Sequence, residues 1–99
     1  MKVIVADEAE IDLEDIADRI AADNPARALS FVRELRTICS TLSDRPLAWP
    51  LVPNHERGGV RRRVHGAYLV FFRVVSDAVI VLRILHGARD YGPILFPDD

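Results

Sequence analysis

Two apolar, β-branched segments near the end of the chain restrict the fold more than any other feature of the sequence. Residues 68–75 read YLVFFRVV and residues 79–85 read VIVLRIL, and only Ser76, Asp77 and Ala78 separate them. Runs of this length and composition predict β-strands, and so short a connection predicts a hairpin. Because both runs are almost continuously apolar, we expect them to be central in the sheet and covered on at least one face.

Two shorter segments predict further strands. Residues 2–6 read KVIVA and predict a short first strand, and residues 60–64 read VRRRV and predict a strand that leads into the hairpin through a tight connection at residues 65–67. Helical patterns fill the space between them, because apolar residues recur at helical spacing first over residues 9–20 and again over residues 28–42. The element order is therefore β-α-α-β-β-β.

The predicted helix boundaries come from residues with known capping preferences. Asp7, with Glu10 three residues later, predicts a capping box at the start of the first helix. Asn24 predicts the cap of the second helix, with Pro25 in its first position, where the missing N–H is harmless. Arg45-Pro46 predicts its end. Such a short connection between helices predicts an antiparallel hairpin.

The first helix is also predicted to have two contrasting faces. One is apolar, and the opposite face is acidic, with Glu10, Asp12, Glu14, Asp15 and Asp18. Together these elements predict one α+β domain over residues 1–99, with a helical hairpin packed on a mainly antiparallel sheet.

Composition excludes several classes of function. The single cysteine, Cys39, excludes an internal disulfide, and its place in a helical apolar pattern predicts a small buried side chain. The histidines lack the spacing of a metal site, so we expect neither a metal nor a cofactor. The first residues lack the pattern of a signal peptide, and no apolar run is long enough to span a bilayer, so we expect a cytoplasmic protein.

Charge is distributed unevenly. The chain carries a net charge of −2, which argues against general nucleic-acid binding. Residues 1–50 stand at −4 and residues 51–99 at +2. Lys2 is the only lysine, and arginine binds carboxylates and phosphates without titrating near neutrality. This composition favours recognition over proton transfer.

Five arginines of the C-terminal half have two possible roles each. Arg61 and Arg63 fall on one face of their strand and Arg62 on the other, either to protect a sheet edge or to bind anions. Arg73 and Arg83 interrupt apolar strands, either extending to solvent or lining a face that receives a partner.

The last strand ends in a polar cluster, His86-Gly87-Ala88-Arg89-Asp90-Tyr91. His86 has the chemistry of a general base, Arg89 that of a phosphate ligand, and Tyr91 that of a stacking platform. In the simpler interpretation Gly87 turns the chain, His86 closes the strand with a hydrogen bond, and Arg89 pairs with a nearby acid. Sequence gives no distances, so both interpretations stay open.

At this point several segments, in order and spacing, resemble the ParE-type toxins of the RelE/ParE superfamily. They are D12-L13-E14-D15-I16, D23-N24-P25-A26-R27-A28, G59-V60-R61 and L85-H86-G87-A88-R89-D90. The resemblance implies the toxin of a bacterial type II toxin–antitoxin pair, neutralised by a ParD-type antitoxin and meeting DNA only through the antitoxin complex. ParE-like toxins poison DNA gyrase, whereas RelE-like relatives cleave mRNA in the ribosome.

The gyrase branch agrees better with the residues, because the lysines and the arginine after the strand tyrosine that are common in the RNase branch are missing. A non-enzymatic gyrase inhibitor is therefore expected, with an RelE-like endonuclease or an inactive toxin that only binds antitoxin as alternatives. The residues expected to contact target or antitoxin include two helix residues and a loop tryptophan. The full set is Phe31, Leu35, Trp49, Arg61, Arg63, Arg73, Arg83, His86, Arg89, Asp90 and Tyr91.

Overall fold

Four strands form one mixed sheet in a computed structural model, which describes residues 1–98. They are β1 (Lys2–Val5), β2 (Arg61–His65), β3 (Tyr68–Val75) and β4 (Ala78–His86), and their order across the sheet is β1-β4-β3-β2. β2, β3 and β4 are antiparallel neighbours, and β1 runs parallel to β4. The predicted element order, the hairpin and the central positions of its two strands are confirmed.

Two long helices lie between β1 and β2. They are α1 (Asp7–Ala21) and α2 (Pro25–Thr41), and a one-turn α3 (Gly92–Leu95) follows β4. Asn24 caps α2 as predicted, because its side-chain oxygen accepts a hydrogen bond from the Arg27 backbone N–H at 3.0 Å. No side chain caps α1, which begins at Asp7 itself, so the predicted capping box is wrong. Glu10 instead binds Arg36 of α2.

The end of α2 also differs from the prediction. The helix stops at Thr41, before Arg45-Pro46, and a short 3-10 turn covers Pro46–Ala48. Three of the last hydroxyl side chains donate to backbone carbonyls three residues earlier, which offers the chain an alternative to continued helix. These are Ser40, Thr41 and Ser43.

The main core lies between the helices and one face of the sheet. Leu35, Leu42, Val70, Phe72 and Val79 are fully buried there. Alternation along β3 gives this face Tyr68, Val70 and Phe72 and sends Leu69 and Phe71 to the other. In β4 an extra residue, Leu82, makes a bulge opposite Phe71 and Phe72, so the helix face holds Val79 and Val81 before it and Ile84 after it.

A second, smaller core covers the opposite face. Leu69, Phe71 and Leu85 of the sheet pack there against Val52 and Val60 of the loop before β2. The C-terminal segment adds partly buried side chains, namely Tyr91, Ile94, Leu95 and Phe96. Burial on both faces explains why the two hairpin strands are almost continuously apolar.

Candidate functional site

Arg83 of β4 lies in the junction between the sheet and α1. Its guanidinium donates to both carboxylate oxygens of Asp12, Nε to Oδ2 at 2.8 Å and Nη2 to Oδ1 at 2.9 Å. The backbone N–H of Ile84 donates to Oδ2 as well, at 2.8 Å. β1 ends too early to pair with this part of β4, so the side chain of Asp12 supplies the hydrogen bond that a strand would have supplied.

This junction assigns Arg83 a structural role. Asp12 is 6% exposed, which makes it a buried member of α1 rather than part of the predicted acidic surface. The hydrogen bonds to Asp12 raise the pKa of Arg83 above its already high usual value. Sequence reasoning missed Asp12 as a partner, yet its spacing from Ala9 and Ile16 places it next to the apolar stripe of α1.

Arg61 and Arg63 lie on the same side of β2, as alternation predicts, and both contact Trp49. The Arg63 guanidinium lies 4.4 Å from the centroid of the Trp49 ring and donates to Thr41 Oγ1 at 3.0 Å. Arg61 donates to the backbone oxygen of Trp49 at 2.7 Å. None of these acceptors is charged, so both arginines keep uncompensated positive charge beside a half-buried aromatic ring.

Arg62 points to the other side of β2 and was not among the predicted contact residues. It donates to Tyr91 Oη at 3.0 Å, and the Tyr91 ring packs on Phe71 with the centroids 4.9 Å apart. Arg73 extends towards the same face, where its Nε donates to the Gly58 backbone oxygen at 2.9 Å. These bonds tie the loop and the C-terminal segment to the sheet.

The structure confirms part of the simpler interpretation of the polar cluster at the end of β4. The Ala88 N–H donates to His86 Nδ1 at 3.1 Å, and the Gly87 N–H donates to the Ala67 oxygen at 2.7 Å. A Cβ at Gly87 would lie 3.3 Å from that oxygen, so glycine permits the close approach. Arg89 is exposed and forms no ion pair with residues 1–98, and Asp90 is exposed beside it.

Phe31 and Leu35, the two helix residues predicted to contact target or antitoxin, lie in the core. Leu35 is 0% and Phe31 6% exposed, because β3 and β2 cover this stripe of α2. A second feature missed from the sequence lies above Phe31. His65 Nε2 is 2.9 Å from Glu34 Oε1, Glu34 also pairs with Arg27, and Phe31 packs against the His65 ring.

Six of the eleven predicted contact residues form three groups in the described part of the chain rather than one site. Arg61, Arg63 and Trp49 lie at the β2 edge, Tyr91 on the second face with Arg62, and His86 and Arg89 at the end of β4. Residues 1–98 contain no group of three or more side chains arranged to hold a metal ion. None of their helices combines the length and the apolar character needed to cross a membrane.

Comparisons with known proteins identify relatives of this fold. The family model described as ParE toxin of type II toxin–antitoxin system, parDE, matches residues 3–91. A structure of the chromosomal ParDE system of P. aeruginosa has 24% identity and a TM-score of 0.73, covering 87% of this chain and 95% of that one. The RelBE2 toxin–antitoxin complex of Mycobacterium tuberculosis has 24% identity and a TM-score of 0.56, covering 89% and 92%. A comparison with curated proteins finds no match.

Proposed function

Because the chain belongs to the ParE family of type II toxins, we propose that it inhibits DNA gyrase and that a ParD-type antitoxin neutralises it in the cytoplasm. The observation that carries the proposal is the extent of the family match, which runs from β1 through the polar cluster after β4. ParE-like toxins are the gyrase-directed branch of the superfamily that the sequence resembles.

The arrangement of the ionisable side chains supports action by binding rather than by catalysis. A nuclease holds an acid and a base close to one phosphate. Here His65 is bound to Glu34, the His86 Nδ1 atom accepts the Ala88 N–H, and Tyr91 accepts from Arg62. Each of these side chains already has a partner within the fold. His65 and His86 lie on either side of Tyr68 in the sheet, whereas Tyr91 packs with the second, smaller core on the opposite face.

Two features support an antitoxin as the partner. The ParDE and RelBE2 structures that share this fold are toxin–antitoxin systems. In this chain, Arg61 and Arg63 direct their hydrogen bonds to neutral atoms, so their charge is available to an acidic segment. Trp49, which is half-buried between them and the core, offers the kind of aromatic surface that dominates interface energetics.

The test is supercoiling by purified DNA gyrase, with the toxin added after its antitoxin has been removed by denaturation and refolding. We expect inhibition or trapped cleaved DNA, and we expect antitoxin to restore supercoiling. Arg89→Ala should weaken inhibition, because Arg89 is exposed without an ion pair in residues 1–98. Arg33→Ala, an exposed arginine of α2 distant in sequence from this cluster, is the matched control.

The competing function is ribosome-dependent mRNA cleavage. A folded toxin that binds antitoxin, leaves gyrase unaffected and cuts mRNA on translating ribosomes would replace the gyrase proposal. A folded toxin that binds antitoxin and affects neither target would instead be an inactive toxin. One preparation is used for the gyrase, mRNA-cleavage and antitoxin-binding assays. Circular dichroism of that preparation detects a folding defect before the three results are compared.

A further inference from the structure

A small cleft lies between the C-terminal half of α1 and the end of β4. Its volume is about 70 Å³. A single bound water needs only roughly 10–15 Å³ of such space, so the cleft has room for a small polyatomic ligand. Ile16, Ile84 and Leu85 form the apolar part of its wall. The polar part consists of Asp12, Asp15, Arg19, Tyr68, His86 and Arg89.

Tyr68 brings an unpartnered hydroxyl to this cleft. The residue is 8% exposed, and its ring packs against Phe31 with the centroids 5.5 Å apart. The Tyr68 hydroxyl forms no hydrogen bond with any group of residues 1–98, yet none of their buried polar side-chain atoms lacks a partner. The hydroxyl must therefore reach solvent, and the opening that Tyr68 lines is this cleft. Because the hydroxyl of a buried tyrosine usually has a hydrogen-bond partner, we expect a ligand to supply one here.

Two arginines of the cleft keep their full charge. Arg19 lies in the last turn of α1, and Arg89 follows the end of β4 by three residues. Both are exposed, and neither forms an ion pair in the described part of the chain. Guanidinium groups bind the oxygens of phosphates and carboxylates through several donors. The cleft thus has two cations available for an anion.

A tight turn after β4 fixes His86 and the backbone of Arg89. The His86 ring meets the Tyr68 ring edge-on, with the centroids 5.2 Å apart, and its Nδ1 atom accepts the Ala88 N–H. The Arg89 N–H donates to the His86 oxygen at 3.0 Å. Because Nδ1 is an acceptor, the neutral imidazole carries its proton on Nε2, which is then a donor. His86 therefore adds a further donor to the cleft.

The two carboxylates of the cleft do not cancel its positive charge. Both oxygens of Asp12 bind the Arg83 guanidinium, so this carboxylate is neutralised within the fold. Asp15 is exposed and forms no ion pair with Arg19, four residues later. With Asp12 paired, the cleft retains two positive charges, on Arg19 and Arg89, against the single negative charge of Asp15.

We propose that this cleft binds a phosphate group. Its donors are Arg19, Arg89, His86 and the Tyr68 hydroxyl. They come from α1, β3 and the end of β4, so they surround the cleft rather than form one fork. That arrangement suits a tetrahedral oxyanion, whose oxygens point apart, better than a planar carboxylate, which one arginine fork can satisfy. The inference does not depend on the gyrase target, since it needs only the folded chain.

Four variants test the site. Tyr68→Phe deletes only the hydroxyl and keeps the ring in the core. Arg19→Gln removes one of the two cations. Its matched control is Arg33→Gln, because Arg33 is also exposed on a helix and without an ion pair among residues 1–98. Asp15→Asn removes the opposing charge and should strengthen binding, which a folding defect cannot imitate.

The probe is inorganic phosphate, titrated at constant ionic strength into folded toxin free of antitoxin. Amide chemical shifts of Ile84, Leu85 and Arg89 report binding by NMR, and we expect them to saturate. Loss of a charged donor in Arg19→Gln should weaken binding about tenfold, and loss of the hydroxyl in Tyr68→Phe about fivefold. Asp15→Asn should strengthen binding about threefold. Arg33→Gln should bind like the unaltered toxin.

A second titration identifies the source of the phosphate group. A short single-stranded DNA is compared with and without a 5′-phosphate for competition with inorganic phosphate. Competition by the phosphorylated strand alone assigns the cleft to a phosphate monoester, and equal competition by both strands assigns it to the backbone diester. Competition by neither limits the cleft to small phosphorylated ligands. Each of these results supports the site.

Other outcomes would overturn the inference. Acetate that shifts the same amides as strongly as phosphate would make the cleft a site for carboxylates. Phosphate binding that Tyr68→Phe and Arg19→Gln both leave unchanged would place the anion elsewhere on the chain. A toxin that inhibits gyrase but shows no saturable phosphate binding would overturn this inference and leave the proposed function standing.

Discussion

Arginines of the sheet lie both at the junction between α1 and β4 and at the edge formed by β2. At the junction the positive charge is paired with a carboxylate, and at the edge it is not. At the junction, Arg83 faces the buried carboxylate of Asp12, whose oxygens also bind the Ile84 N–H. At the edge, Arg63 lies on the Trp49 ring and donates to the Thr41 hydroxyl. One arginine is neutralised within the fold, and the other keeps its charge.

The difference shows which arginines can serve recognition. A buried ion pair is strongly coupled, so removing one partner leaves the other as an uncompensated buried charge. An arginine on an aromatic ring retains donors and full charge for an incoming carboxylate. Arg83 is thus expected to affect stability first, whereas Arg61 and Arg63 are expected to affect binding first.

The largest expected effect comes from Asp12→Ala. This change removes the acceptor of both the Arg83 guanidinium and the Ile84 N–H, and we expect it to lower the free energy of unfolding by about 3 kcal/mol. Urea denaturation measures the effect. Asp15→Ala, an exposed acid of the same helix, is the control and should change stability by less than about 0.5 kcal/mol. If Asp12→Ala and Asp15→Ala lowered the free energy of unfolding equally, the structural role of the junction between α1 and β4 would be contradicted.

A smaller loss of stability is expected for Trp49→Ala. The ring is half-buried against the main core and under Arg63, so its loss should cost about 2 kcal/mol, less than for a fully buried tryptophan. Antitoxin affinity should fall more than stability does, and Arg63→Ala should lower affinity with little change in the urea midpoint. A parallel loss of stability in both variants would make the β2 edge a second structural junction.

The parts of the fold that were predicted correctly depend on residues close together in the chain. The apolar runs set the hairpin, and the cap of α2 needs only Asn24, Pro25 and Arg27. The pairing of Arg83 with Asp12 spans 71 residues, so no local pattern defines it. The same holds for Arg62 with Tyr91, whose positions meet only after the C-terminal segment folds over the second face.

Burial was predicted less well than secondary structure. Helical spacing correctly grouped Phe31 with Leu35, but spacing says nothing about how completely a sheet covers a stripe. The bulge at Leu82 also lacked a sequence signal, since every neighbouring residue suits a strand. The residues proposed for target or antitoxin contact stay predictions, and the structure adds which of them offer exposed or uncompensated groups.

The smallest expected effect concerns Glu34, which is paired within the fold as Asp12 is but lies nearer the surface. Glu34 joins Arg27 of α2 to His65 at the end of β2, and hydrogen bonds from Arg27 and then His65 lower the pKa of Glu34 below its usual 4.5. A lowered pKa in the folded state means that the ionised carboxylate stabilises the fold above pH 4.5, and that this contribution is lost as the pH falls through the lowered value.

Glu34→Gln should therefore lower stability near neutral pH and match the unaltered protein in acid, where both side chains are uncharged. Thermal unfolding measured from pH 7 to below pH 4 follows the convergence, with Glu14→Gln as an exposed control on α1. Because the Glu34 side chain is 40% exposed, solvent screens the interaction and the difference should be small. A constant difference at every pH would show that Glu34 acts through packing at the turn between β2 and β3, not through its charge.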